Sequence, residues 1–176
     1  GTDFAGWAKQ PGLRTVQGEL VAALSKIFGE SDKDFGLRVA GRTDAGVHAL
    51  TQVAHIDLTA KQLSRLGRGK PVEGRLNSML SSDVRVASFE PAPAGFDARF
   101  SASFRRYRYR IADLSAKRNP LEARYVLWHS QVLDLAAMQD AASVLYGLHD
   151  FAAFCKPRNF GTTIRELRRS EERRVG

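Results

Sequence analysis

The chain has 176 residues, a net charge of +8 from 27 Lys and Arg against 19 Asp and Glu, 43% hydrophobic residues and 26% charged ones. This is the composition of an ordered globular protein, long enough for one sizeable core or two small subdomains sharing a sheet, and it excludes a disordered or low-complexity chain. No apolar run approaches the ~18 residues of a membrane span, no charged-then-apolar leader opens the chain, and the single cysteine, Cys155, cannot build a disulfide framework; a reducing, cytoplasmic setting is expected.

Thr15 precedes Val16, Leu20, Leu24, Ile27 and Phe28, spaced as one face of a helix that Gly29 closes. The run 35–40 reads as a strand, and it delivers the loop Gly41-Arg42-Thr43-Asp44-Ala45-Gly46-Val47-His48-Ala49. Residues 51–58 read as a second strand, helical patterns follow around Leu63 and over 72–80, and the Val84/Val86 alternation makes 83–89 a further strand. Pro91 and Pro93 punctuate a connection, 101–112 is the longest strand candidate, and 124–128 reads as another strand. Asp134 then caps a helix carrying Leu135, Met138, Ala142 and Leu145 before Gly147. Strands and helices mixed without a strict βα repeat indicate an α+β fold, and neither a solenoid-period repeat nor a low-complexity linker interrupts it.

The nine-residue loop places one carboxylate between two glycines and beside an arginine. Two readings fit it. Asp44 is either a carboxylate presented to a cleft, with Arg42 as a planar cationic fork and Gly41 and Gly46 permitting close approach, or the N-cap of a short helical turn through Val47 and Leu50. Arg99, Arg105, Arg106, Arg108 and Arg110 cluster with Phe96, Phe100, Phe104, Tyr107 and Tyr109, a mixture suited to phosphates and bases; a solvated basic surface is the alternative. Period two places Tyr107, Tyr109 and Ile111 on one face of 104–111 and Arg106, Arg108 and Arg110 on the other, and Tyr109 is expected to face the core. His48, His55, His129 and His149 lack the spacing of a zinc site, and each reads as a hydrogen-bonded structural residue. Cys155, near Phe151, Phe154 and Pro157, reads as a packed or loop cysteine.

The segments GTDFAGWAKQ, TVQGEL, GRTDAGVHA, RLNSMLSSDVRV, FDARFSASFRRYRYRI, GLHDFAAF and TTIREL occur in that order, and they resemble the tRNA pseudouridine synthase TruA family. The resemblance implies an isomerase of the intramolecular transferase class that converts uridines 38 to 40 of the tRNA anticodon stem-loop to pseudouridine. It implies a pseudouridine synthase fold, with a mixed or antiparallel central sheet flanked by helices in ferredoxin-like subdomains. The aspartate loop would lie in an N-terminal subdomain over 1–113, and 114–176 would open the C-terminal one. Asp44 matches the family's nucleophile and Tyr107 its base-stacking tyrosine; Arg42, adjacent to Asp44 in the same loop, would fill the space vacated by a flipped nucleotide or hold that nucleotide. Arg105, Arg106, Arg108 and Arg110 would bind RNA. The partners implied are tRNA and a second copy in a homodimer, with no metal or organic cofactor, since isomerising uridine involves no net redox change. His149-Asp150 in GLHDFAAF reads as a fold signature rather than an acid–base pair.

The chain departs from the family pattern in three places. Gly1 falls inside the loop that follows a first strand in the family, Ala8 and Lys9 stand between Trp7 and Gln10, and the tail RRSEERRVG no longer follows the pattern. The sequence therefore reads as a fragment without that first strand and the C-terminal part, including an arginine thought to pair with the aspartate, and as such is expected to be inactive. A non-catalytic RNA-binding module is the alternative function.

Overall fold

A computed structural model describes residues 1–31, 34–67, 69, 71–155 and 162–173. They form two compact units, Gly1–Arg110 with Pro120–Val126, and Ile111–Asn119 with Leu127–Gly176.

The first unit is organised by helix α1, Val16–Phe28. Thr15 stays extended and its hydroxyl accepts the Gly18 N–H at 3.2 Å, and Gly29 ends the helix in the left-handed region at φ 61°. The face carrying Val21, Leu24 and Phe28 is buried against Trp7, Phe35, Leu37, Val39 and Leu76, and the Phe28 and Phe35 rings lie 5.4 Å apart. Full burial of a phenylalanine such as Phe28 contributes about 1.5–3 kcal/mol. Strand β1, Arg38–Val39, pairs antiparallel with β2, Ala54–His55, in the register Arg38↔His55 and Val39↔Ala54. Helix α2, Ala60–Leu66, opens with a reciprocal Thr59–Gln62 capping box, and the short α3, Val72–Asn77, buries Leu76.

Two expected strands do not form. Residues 83–89 have no ladder partner among the described residues. Instead the Asn77 carboxamide takes the place of a neighbouring strand, accepting the Val86 N–H at 2.8 Å and donating to the Val86 carbonyl at 2.8 Å, while Val84 is buried. Of 101–112, only β3, Ile111–Ala112, enters a ladder, parallel to β4, Leu127–Trp128, within the second unit. Alternation fixes which side chains share a face, but a strand also needs a partner for its backbone groups, and periodicity does not specify one. Tyr109 correspondingly is 84% exposed and not a core residue.

In the second unit, Asp134 caps helix α4, Leu135–Ser143, accepting the Ala136 and Ala137 N–H groups at 2.9 and 3.1 Å. The GLHDFAAF and TTIREL segments meet as β5, Gly147–Asp150, and β6, Ile164–Leu167, antiparallel from Gly147↔Leu167 to Asp150↔Ile164. Asp150 caps the turn through the Ala152 N–H at 3.0 Å and the Thr163 hydroxyl, and His149 bonds the Tyr146 carbonyl at 2.7 Å. Phe151 and Phe154 contact each other at 6.2 Å, with Phe154 exposed. Cys155 is exposed. The described residues thus combine helices with three two-stranded sheets, in keeping with an α+β fold, where one central sheet was expected. Among the described residues no helix is long and apolar enough to cross a membrane.

Candidate active site

The aspartate loop leaves β1 with both of its first carbonyls fixed. Ala40, just past β1, donates its N–H to Val53 O at 2.8 Å, and its carbonyl accepts from Arg105 Nε at 3.1 Å and from Arg105 Nη2. The Gly41 carbonyl accepts from Gln52 Nε2 at 2.8 Å. Farther along, the loop pairs with the N-terminal segment, Trp7 N–H donating to Thr43 O at 2.9 Å and Gly46 N–H to Phe4 O at 3.2 Å. Phe4 and Trp7 are themselves buried, so the pairing is anchored in the core. Gly6 lies between them at φ 97°, and a Cβ there would stand 2.8 Å from Thr43 O; only glycine allows this approach.

Within that frame Asp44 is exposed. Its main-chain carbonyl accepts the Val47 N–H at 3.3 Å in a turn completed by Gly46 at φ 77°, and no helix follows through Leu50. The capping reading is therefore set aside. Among the described residues the Asp44 carboxylate has no hydrogen-bond or ion-pair partner. Arg42, two residues earlier, is also exposed. His48 lies within 3.3 Å of the Thr2 hydroxyl and edge-on to Tyr125 at 6.3 Å, which gives it a structural contact.

The arginine-rich segment reaches the loop at its entry. A Cβ built on Gly41 would lie 3.2 Å from Arg105 Nε and 4.0 Å from the Tyr107 hydroxyl, so Tyr107, 80% exposed, stands beside the first loop residue. This segment is aimed by the turn before it. Asp97 accepts the Arg99 and Phe100 N–H groups at 2.8 and 3.1 Å and pairs with Arg38 of β1 at 3.2 Å, while His55 of β2 accepts the Ala98 N–H at 3.0 Å. Partial burial by itself would raise the Asp97 pKa; those N–H groups, then Arg38 and His55, outweigh it and hold the carboxyl below its ordinary value. Arg106 and Arg108 are exposed with no ion pair among the described residues, and Arg110 lies 5.4 Å over the Tyr125 ring. A second carboxylate, Asp83, is held well below the usual range by its bidentate bonds to Arg14, both 2.8 Å, and by the Ser81 hydroxyl. Among the described residues no group of three or more His, Cys, Asp or Glu is placed to hold a metal.

The structure thus brings Tyr107 and Arg105 to the loop that carries Asp44 and Arg42, and leaves Arg106 and Arg108 on open surface. Sequence reasoning gave no role to Gln52 or Gly6; a glycine between two large aromatics, Phe4 and Trp7, was the available signal for the latter.

No protein-family model matches the chain. It is 50% identical to the tRNA pseudouridine synthase A of Leifsonia xyli across 99% of this chain and 65% of that protein. It is 51% identical to the namesake from Streptomyces griseus across 96% of this chain, and 48% identical to that from Mycobacterium leprae across all of it. Over nearly its whole length the chain is similar to tRNA pseudouridine synthases A. It spans 58–65% of the length of these relatives, and the family pattern covers both units, from the N-terminal segment under the aspartate loop to the β5–β6 hairpin.

Proposed function

We propose that this chain carries the catalytic loop of a tRNA pseudouridine synthase acting on uridines 38 to 40 of the anticodon stem-loop. The observation that carries this reading is the exposed Asp44 carboxylate, without a side-chain partner among the described residues, held on a loop fixed at its entry and along its length, with the Tyr107 phenol beside that entry. The reaction breaks the bond from uracil N1 to ribose C1′, turns the freed base, and rejoins it through C5, whose proton is lost. A carboxylate, ionised at neutral pH, is suited to hold one fragment covalently while the base turns. Tyr107 offers a face on which a flipped base stacks, worth about 1–3 kcal/mol. Arg42 holds the extruded nucleotide, offsetting the few kcal/mol that unstacking costs. Arg106, Arg108 and Arg110 form the basic side from which tRNA phosphates are gripped, while Arg105 of the same cluster is bonded to the loop entry through the Ala40 carbonyl.

The same reading takes the fold to be that of the pseudouridine synthases, with 1–113 as the catalytic subdomain and 114–176 opening the next. The enzyme would be a cytoplasmic homodimer. The test is to incubate the full-length protein with unmodified tRNA, digest to nucleosides, and separate uridine from pseudouridine by chromatography. Pseudouridine confined to positions 38 to 40 is expected; tight tRNA binding with no pseudouridine would favour the RNA-binding module instead.

A further inference from the structure

We infer that Arg105 is a positioning residue that seats Tyr107 on the aspartate loop, rather than a tRNA contact like its neighbours; the inference rests on the catalytic reading of that loop. In an extended chain residues i and i+2 share a face. Arg105 therefore belongs with Tyr107, whereas Arg106, Arg108 and Arg110 share the opposite side. The contacts agree. Arg105 Nε and Nη2 both donate to Ala40 O, between β1 and the loop, and Nη2 also donates to Arg99 O at 3.1 Å. A guanidinium has five N–H donors in a rigid fork. With Nε and both Nη2 hydrogens engaged, only Nη1 remains, and either bidentate grip on a phosphate needs Nη2.

Gly41 supplies a second, independent observation. A Cβ at that position would press on Arg105 Nε at 3.2 Å and Cδ at 3.4 Å, and reach the Tyr107 hydroxyl at 4.0 Å. The loop entry thus leaves a space that Arg105 and Tyr107 occupy together. Gln52 holds the Gly41 carbonyl from the β2 side, and Arg105 ties the preceding carbonyl to the segment that bears the stacking tyrosine. Lysine at 105 would keep the charge and most of the stem, but a single ammonium lacks the planar fork that spans the Ala40 and Arg99 carbonyls.

In the full-length protein, Arg105→Lys, Arg105→Ala and Arg106→Ala are compared by three readouts: single-turnover pseudouridine formation at saturating tRNA, tRNA affinity across a salt series, and hydrogen exchange of the segment 41–47 in the free protein. Both Arg105 variants are expected to slow turnover by about 10- to 100-fold, the scale of a small misplacement at a reacting centre, with faster exchange at 41–47 and an unchanged salt slope. Arg106→Ala should instead flatten that slope by about 0.9. Full rescue of the rate by lysine, or a flattened slope in Arg105→Ala with unaltered exchange, would overturn the inference. If the wild-type protein forms no pseudouridine, the catalytic reading fails by itself, and exchange with the salt slope still decides the role of Arg105. Arg105→Lys carries the comparison if Arg105→Ala folds poorly.

Discussion

Asp44 differs from Glu19, Asp83 and Asp97 of its unit in what surrounds it. Glu19 and Asp83 are taken up by Arg14, and Asp97 by two backbone N–H groups and Arg38, so each is already committed to the fold. Among the described residues Asp44 takes part only in a backbone turn. A similar contrast separates the tyrosines. Tyr107 and Tyr109 are both exposed, at 80% and 84%, but only Tyr107 meets the loop. Tyr107→Ala should lower single-turnover pseudouridine formation by roughly tenfold or more, from the lost stacking, with little change in melting temperature. Tyr109→Ala should change the melting temperature little as well, because no core packing is removed. Equal catalytic losses in the two variants would return Tyr107 to the general basic and aromatic surface. The letters of the loop alone left a capping turn open beside a presented carboxylate, and only the ordered family segments around it tilted the reading; the exposure of Tyr109 was not legible, because alternation names a face without naming what covers it.

At the scale of elements, the helices were easier to read than the strands. Thr15 and Gly29 announce both ends of α1, and Asp134 the start of α4, through interactions local in sequence. The expected strands over 35–40 and 51–58 narrow to two ladder residues each, and 83–89 is held by the Asn77 side chain, since pairing depends on distant partners. The same limit hid the link between α1 and the segment after α3. Arg14 lies 4.0 Å over the Phe4 ring and bonds Glu19 at 2.6 Å, Ser81 at 2.7 Å and Asp83 at 2.8 Å, fastening the N-terminal segment beneath the aspartate loop. Because the Asp83 carboxyl is depressed in the fold, it contributes stability that is full above the ordinary carboxylate range and is lost as pH falls through the folded-state value. Asp83→Asn should therefore melt below wild type at pH 7, by at most about 2–4 °C for a partly exposed pair. The difference should shrink on acidification. A gap that stays constant down to strongly acidic pH would show that the ion pair is not its source.

At the scale of the whole chain, the +8 charge is given a direction by Arg106, Arg108 and Arg110, on the segment that meets the loop entry through Arg105 and Tyr107. Affinity of the full-length protein for tRNA should fall steeply with salt, by about 0.9 in log K per log salt for each duplex phosphate neutralised; a salt-independent affinity would mean that these arginines are merely solvated. Charge alone does not distinguish an enzyme from an RNA-binding module, and neither does fold. The measurement that separates them most directly is Asp44→Asn in the full-length protein, with tRNA affinity and pseudouridine content measured on the same samples. The amide preserves size and polarity but cannot act as the nucleophile, so tRNA should bind as tightly as to wild type while pseudouridine formation is abolished. Pseudouridine at a near wild-type rate from Asp44→Asn would contradict the assignment of this loop as the catalytic centre.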